Sequence, residues 1–190
     1  MKTRNYKSIA TLWETWLPIT CSMDVAIRIK KSLEVIGFNT FEEAAKSVIS
    51  WSNKALLVPN AYVNISGFFM SEELLVREVF IEKIPALVLA WKQKNIPKNI
   101  KNLFLHPSTK SLIEISEKLS MDNHDNTKKK MIENIVLVNS NQEACEKVLN
   151  DTDFSIAITN SICAKYFELE VYEILRPEKD MSFSIFEKAV

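Results

Sequence analysis

Glycine is nearly missing from this chain: 190 residues contain only Gly37 and Gly67. A phosphate cradle of the Walker or dinucleotide type needs several glycines in one turn, and a nucleophile elbow needs two around a serine, so all three are excluded. Histidine is as scarce, with His106 and His124 alone. Cys21, Cys145 and Cys163 have no paired spacing, so no zinc motif forms and neither a metal nor an organic cofactor is expected. Three free thiols fit a reducing compartment, and the expected location is cytoplasmic. The amino-terminal residues have no apolar signal core. No apolar run approaches the roughly 20 residues of a membrane span, so no membrane association is expected. Net charge is absent too, because 24 basic residues cancel 24 acidic ones. Without a field of one sign, nucleic acid is not an expected partner, and Lys128-Lys129-Lys130 reads as part of a solvated loop.

What is present is an apolar content of 47%, enough for a real core. Short apolar runs alternate with helical periods. A helix is expected over 22–36, where Val25, Ala26, Ile29, Leu33 and Ile36 repeat helically, with Gly37 supplying the left-handed turn at its end. Thr40-Phe41-Glu42-Glu43 is a capping box that opens a second helix running to about Trp51. Strands are expected at 55–58, 74–81, 86–91 and 102–105, and a helix from Pro107-Ser108 through Leu119. The stretch 134–186 reads strand, Ser-headed helix, strand, Asn-headed helix, strand, strand. The alternation predicts an α/β protein with largely parallel sheets. Two crossings divide it into lobe one, about 1–84 plus 159–190, and lobe two, about 85–158.

Polar groups gather at the strand-to-helix turns: Ser22, Asn60, His106 with Ser108, Ser140 with Asn141, and Thr159 with Asn160. Helix starts offer unpaired N–H groups and a positive dipole end, which suit a small anion such as a carboxylate. The alternative for each position is a helix cap with no ligand. His106 is a candidate for proton transfer, or a side chain placed by its turn. Cys21 has no nearby activating cation in the sequence and reads as an inert thiol rather than a nucleophile. Glu42-Glu43 and Glu72-Glu73 read as surface carboxylates. Trp13 and Trp16 flank the first turn, where they could cover a ring-shaped ligand or fill the core.

In order along the chain, Thr40-Phe41-Glu42-Glu43, Leu57-Val58-Pro59-Asn60-Ala61-Tyr62 with Phe69-Met70, Leu105-His106-Pro107-Ser108, Val138-Asn139-Ser140 with Glu143-Ala144, Ile156-Ala157-Ile158-Thr159-Asn160 and Met181-Ser182-Phe183-Ser184-Ile185-Phe186 resemble the catalytic domain of the prephenate dehydratase family. The resemblance is strongest to its decarboxylase branch, known from bacilysin biosynthesis. It implies a two-lobed, periplasmic-binding-protein-like (type II) fold with the active site between the lobes and without a regulatory ACT domain. Two departures stand out. The dehydratases carry Thr-Arg-Phe near the end of this domain, where this chain has Ser182-Phe183-Ser184. The decarboxylase branch also lacks that motif. The family's Gly-rich first turn is replaced by the glycine-free stretch from Trp13 to Ser22.

Prephenate loses its ring carboxylate and hydroxyl together when an acid protonates the hydroxyl. Without that acid, carbon dioxide leaves, a proton adds to a ring alkene carbon and the hydroxyl stays. The resemblance therefore implies a non-aromatising prephenate decarboxylase-like lyase of specialised, antibiotic or peptide, metabolism. Ser182 and Ser184 are its expected catalytic positions. Thr20 and Ser22 would hold one carboxylate, Ser140 and Asn141 the other end of the ligand, with Asn60, His106 and Phe183 completing the substrate site. The alternatives are a non-catalytic member that binds a small carboxylate or a protein partner, and a lyase or dehydratase acting on a related chorismate-derived acid. Enzymes of this size and shape often pair, so a homodimer is among the expected states.

Overall fold

A computed structural model describes residues 6–13, 19–29, 32–93, 99–116, 119–120 and 130–189. Its strands and helices, in chain order, are β1 (Ser8–Leu12), α1 (Cys21–Ile29), β2 (Glu34–Phe38), α2 (Phe41–Ser50), β3 (Lys54–Pro59), α3 (Ile65–Phe69), β4 (Leu74–Ile84), β5 (Leu87–Trp91), β6 (Asn99–Leu105), α4 (Leu112–Ile115), β7 (Leu119–Ser120), β8 (Lys130–Leu137), α5 (Asn141–Asn150), β9 (Ser155–Asn160), α6 (Ser161–Tyr166), β10 (Glu170–Arg176) and β11 (Lys179–Lys188). They form two compact units, Met1–Ile84 with Asp180–Val190, and Pro85–Lys179.

The first unit is built on a sheet of order β2-β1-β3-β11-β4. β1 lies parallel to both β2 and β3, and β11 returns antiparallel to β3, with Phe183 opposite Pro59 and Glu187 opposite Ala55. Side chains alternate across a strand, so each strand feeds two cores. Ile9, Ala55, Leu57, Phe183 and Ile185 pack with Val25 and Ala26 of α1. Ala10, Leu56, Val58 and Phe186 pack with Phe41, Ala44 and Val48 of α2. The two helices thus cover opposite faces. α2 starts as the capping motif predicts: Thr40 accepts from the Glu43 N–H at 3.1 Å.

The second unit has a six-stranded sheet of order β10-β5-β9-β6-β8-β7. β6 is parallel to β8 and β9, whereas β5 runs antiparallel to β9 and β10. β9 is buried along its whole length, which its run Ser-Ile-Ala-Ile-Thr-Asn foreshadows. Its core is Leu87, Leu89, Trp91, Leu103, Leu105, Ile156 and Ile158 with Leu112 beneath. Leu87 at the start of the unit faces Arg176 near its end. At the edge where β6 and β9 begin, Asp151 accepts from Asn102 at 2.8 Å and from the Ser155 hydroxyl, tying the α5–β9 connection to β6.

Three expectations need correction. The expected helix 22–36 ends at Ile29, and Glu34–Phe38 is a strand. Leu33 and Ile36 continue the helical spacing by coincidence, while Val35 and Ile36 are β-branched and sit in the register of β1. The helix expected through Leu119 is a 3₁₀ turn at Pro107–Thr109, the short α4, and strand β7. The return crossing falls between Lys179 and Asp180 rather than near 159, because β9 is an inner strand of the second sheet and β10 pairs with β5.

Gly37 also has a different reason for being glycine. It has no positive φ. It lies in β2 opposite Thr11, and a Cβ there would fall 2.0 to 2.3 Å from the Trp13 ring and Cβ. The Trp13 Cβ is fixed to the backbone, which is itself held by the Trp13 N–H donating to Phe38 O at 2.7 Å, so the clash cannot be relieved by a rotamer change. Gly37→Ala is therefore expected to lose about 1–3 kcal/mol of stability by overpacking. Urea unfolding measures it, and a smaller loss in a Trp13→Ala background would assign the effect to this contact. An unchanged midpoint in the wild-type background would show that the contact is not close.

Candidate functional site

In open parallel sheets ligands bind beyond the carboxyl ends of the strands, where the strand order reverses. In the first unit that point lies between β1 and β3, since β2 and β3 flank β1. β3 ends at Pro59, and the next residue, Asn60, donates its backbone N–H to Ser182 O at 2.9 Å. Its side-chain Oδ1 accepts from the Ser184 hydroxyl at 2.7 Å. Ser184 is fully buried on the face it shares with Phe186. Among the described residues Asn60 Oδ1 is the acceptor its hydroxyl has. Turning the amide over would strand that buried hydrogen, at a cost of about 1–3 kcal/mol. The amide orientation is therefore fixed, with Nδ2 left free of any acceptor among the described residues. Asn60 itself is partly exposed.

On the adjacent strand, Thr11 is buried and donates to Leu57 O at 2.9 Å, cross-linking β1 to β3 just below the edge. Thr20 is the cap of α1: its hydroxyl donates to Leu12 O at 2.9 Å and accepts from the Met23 N–H at 3.1 Å. That hydroxyl hydrogen is spent inside the protein. Ser22 is buried in the first turn of α1. Burial, with Asp24 as a lesser cause, pushes the Cys21 thiol up to about 12, so it stays protonated and unreactive at neutral pH. Residues 14–18 of the glycine-free turn, Trp16 among them, lie outside the described residues.

Phe183 is a core residue. It is fully buried beside Ile9, Val25 and Ile84, and its ring stacks on Phe80 at 6.0 Å between centroids. This packing accounts for the side chain without a ligand. Ser182 is partly exposed on the Ser184 face. Two residues beyond Asn60 lies Tyr62, which engages Glu42, a residue the sequence places among the surface carboxylates. Tyr62 donates to Glu42 at 2.7 Å, and burial together with that bond raises the phenol to about 12. Tyr62 also sits on Phe41 and Phe68, 4.7 and 6.2 Å away. The sequence signal for this pairing was an aromatic two residues after Asn60.

In the second unit the equivalent edge lies between β6 and β9. His106 follows β6 and caps the 3₁₀ turn: its Nδ1 accepts from the Ser108 N–H at 3.2 Å and lies 2.7 Å from the Ser108 hydroxyl. An Nδ1 that accepts a backbone N–H carries no proton, so the neutral ring is the Nε2–H tautomer. Ser140 caps α5 by accepting from Glu143 N at 3.0 Å, and Glu143 accepts from the Asn139 N–H at 2.8 Å. Asn141 opens α5; its backbone carbonyl accepts from Thr159 at 2.8 Å, and its Oδ1 is buried without a hydrogen-bond partner among the described residues. Asn160 caps α6 through Cys163 N at 2.8 Å.

The structure thus brings Asn60, Ser182 and Ser184 together, sets Thr20 and Ser22 at the adjoining helix start, and places His106, Ser140 and Asn141 in the second unit. Every buried polar side chain among the described residues is neutral. Two arginines of the first unit are paired internally, Arg28 with Asp24 and Glu82, and Arg77 with Glu187. No group of three potential metal ligands exists among the described residues, and none of their helices is long and apolar enough to cross a membrane.

Burial holds the His106 pKa below the ordinary histidine range. The unfolded chain titrates in that range, so it binds more protons than the fold does there. Stability from this residue is complete above the unfolded value and declines as the pH falls through the folded one. Thermal unfolding between about pH 5 and 8 should therefore show a steeper acid-side loss for wild type than for His106→Gln. Parallel curves would remove this contribution.

No family model and no curated protein matches the chain by sequence. Solved structures do match its fold. The prephenate dehydratase of Arthrobacter aurescens in complex with L-Phe has a TM-score of 0.68 at 15% identity, over 96% of this chain and 61% of that one. The prephenate dehydratase of Staphylococcus aureus has a TM-score of 0.63 at 12% identity, over 95% and 66%. The methionine binding protein MetQ has a TM-score of 0.58 at 11% identity, over 98% and 84%. The chain spans less than two thirds of either dehydratase. At these identities the likeness is one of fold: α/β, of the periplasmic-binding-like type II class that the dehydratase catalytic domain shares.

Proposed function

We propose that this chain is a non-aromatising carboxy-lyase acting on prephenate or a closely similar acid, with the carboxyl edge of the first unit as part of its site. One observation carries the reading. Ser184, in the stretch that stands where the dehydratases have their Thr-Arg-Phe motif, gives its single hydrogen to Asn60 Oδ1 at 2.7 Å. A hydroxyl so committed is a poor acid toward a departing ring hydroxyl. Cys21 is held protonated near 12 and supplies none either. Loss of the ring hydroxyl needs protonation, whereas loss of carbon dioxide needs only that the carboxylate be poorly stabilised and the electrons be accepted into the ring diene. The C–C bond breaks, a proton from solvent adds to a ring alkene carbon, and the hydroxyl is retained. Neutral surroundings favour that outcome, because a carboxylate gains less from hydroxyl and amide dipoles than from a bidentate guanidinium.

A second reading, a non-catalytic binder of small carboxylates, is favoured by the engagement of Arg28 and Arg77 in internal ion pairs. Incubation with prephenate separates the two. The lyase reading expects carbon dioxide and a non-aromatic dihydro-hydroxyphenylpyruvate. Phenylpyruvate would make the protein a dehydratase, and binding without turnover would make it a binder. Ser182→Ala should lower turnover about tenfold or more, the scale of a lost transition-state hydrogen bond, with little change in melting temperature. An unchanged rate would remove Ser182 from the site.

A further inference from the structure

We propose that Ser184 is a positioning residue that sets the polarity of whatever binds at Asn60: this edge takes a carboxylate or keto oxygen and refuses an ammonium. The inference deepens the reading above, since it concerns the same edge, but it rests on the geometry of three residues. The backbone of Asn60 is pinned by its N–H on Ser182 O at 2.9 Å. Its Oδ1 accepts from the fully buried Ser184 hydroxyl at 2.7 Å, which turns that oxygen toward the interior. The end of the amide turned away from that buried hydroxyl is Nδ2, with two donor hydrogens, on a partly exposed residue. A carboxamide is polar at both ends and, left free, would serve a donor or an acceptor equally. The serine behind it removes that ambiguity. The selectivity comes from strand pairing: Ser184 is opposite Val58 in the register of β11 with β3, which sets its hydroxyl beside the residue just beyond the end of β3.

Asn60→Asp is the informative substitution. It preserves shape and keeps an oxygen for Ser184, yet it turns the outward group from donor to anion. Nitrogen-15 spectra of the whole chain give the readout, with the Asn60 side-chain pair assigned by its loss in Asn60→Asp. The probes are sodium acetate and methylammonium chloride, at ionic strength matched with sodium chloride. Acetate should shift the Asn60 pair and the nearby backbone amides saturably, and methylammonium should not. Asn60→Asp should abolish the saturable acetate response at those backbone amides. Ser184→Ala should keep the Asn60 pair but weaken acetate about fivefold, the equivalent of one ordinary hydrogen bond, and Ser184→Thr should restore most of it. A methylammonium response at the Asn60 pair in wild type, an acetate response that leaves that pair unmoved, or undiminished acetate affinity in Asn60→Asp or Ser184→Ala would each overturn the proposal. The wild-type titrations alone decide it should a Ser184 variant fail to fold. None of these outcomes depends on prephenate, so a failed decarboxylation assay leaves the inference standing, and a failed acetate titration leaves the assay to be judged by itself.

Discussion

The antiparallel pairing of β11 with β3 is the contact on which the first unit depends. It inserts a strand from the far end of the chain between β3 and β4. One face of that strand delivers Phe183 and Ile185 to the core under α1, and the other delivers Phe186 to the core under α2. Burying a phenylalanine completely is worth about 1.5–3 kcal/mol, against a net stability of about 5–15 kcal/mol for a typical domain. Two such rings on one strand are a large share of that margin. The same pairing brings Ser184 to Asn60, so core and candidate site share a single register. A slip by one residue would send Phe183 and Phe186 to the wrong faces and take the serine hydroxyl away from the amide.

The electrostatics of that edge follow from what the interior excludes. Among the described residues the buried polar side chains are hydroxyls and amides, while charged groups pair nearer the surface, as Arg28 does with Asp24 and Glu82 and Lys101 with Glu133. Burying neutral groups that are hydrogen-bonded costs little, whereas a buried unpaired ion would cost several kcal/mol. A ligand at the proposed site would meet oriented dipoles rather than counter-charges from the interior.

What the sequence made legible was local. Thr40 with Glu43 and Ser140 with Glu143 could be read as caps because each bond spans three residues, and both are present. The strand at 55–58 needed only its apolar run and Pro59 to be seen. The misread parts depended on distant neighbours. Leu33 and Ile36 fit a helical period, yet β2 forms because β1 offers it a parallel edge. Gly37 looked like a helix end, and its real reason is the ring of Trp13 above it. The return crossing was misplaced because the pairing of β10 with β5, which keeps the chain in the second sheet beyond β9, is made between distant residues. Asn60 and Ser184 were each picked out singly, but their bond spans 124 residues and exists only through strand register.

The second unit enters and leaves through strands that lie side by side, with Leu87 of β5 opposite Arg176 of β10. Closing a flexible segment of about 100 residues costs about 4 kcal/mol in chain entropy. A folded insertion whose ends are already neighbours, roughly 5 Å apart as paired strands are, removes most of that cost. To the last strand of the first unit, the whole second unit then behaves as a short hairpin connection. Folding of the inserted unit thus lowers the entropy cost of pairing the C-terminal strand with β3.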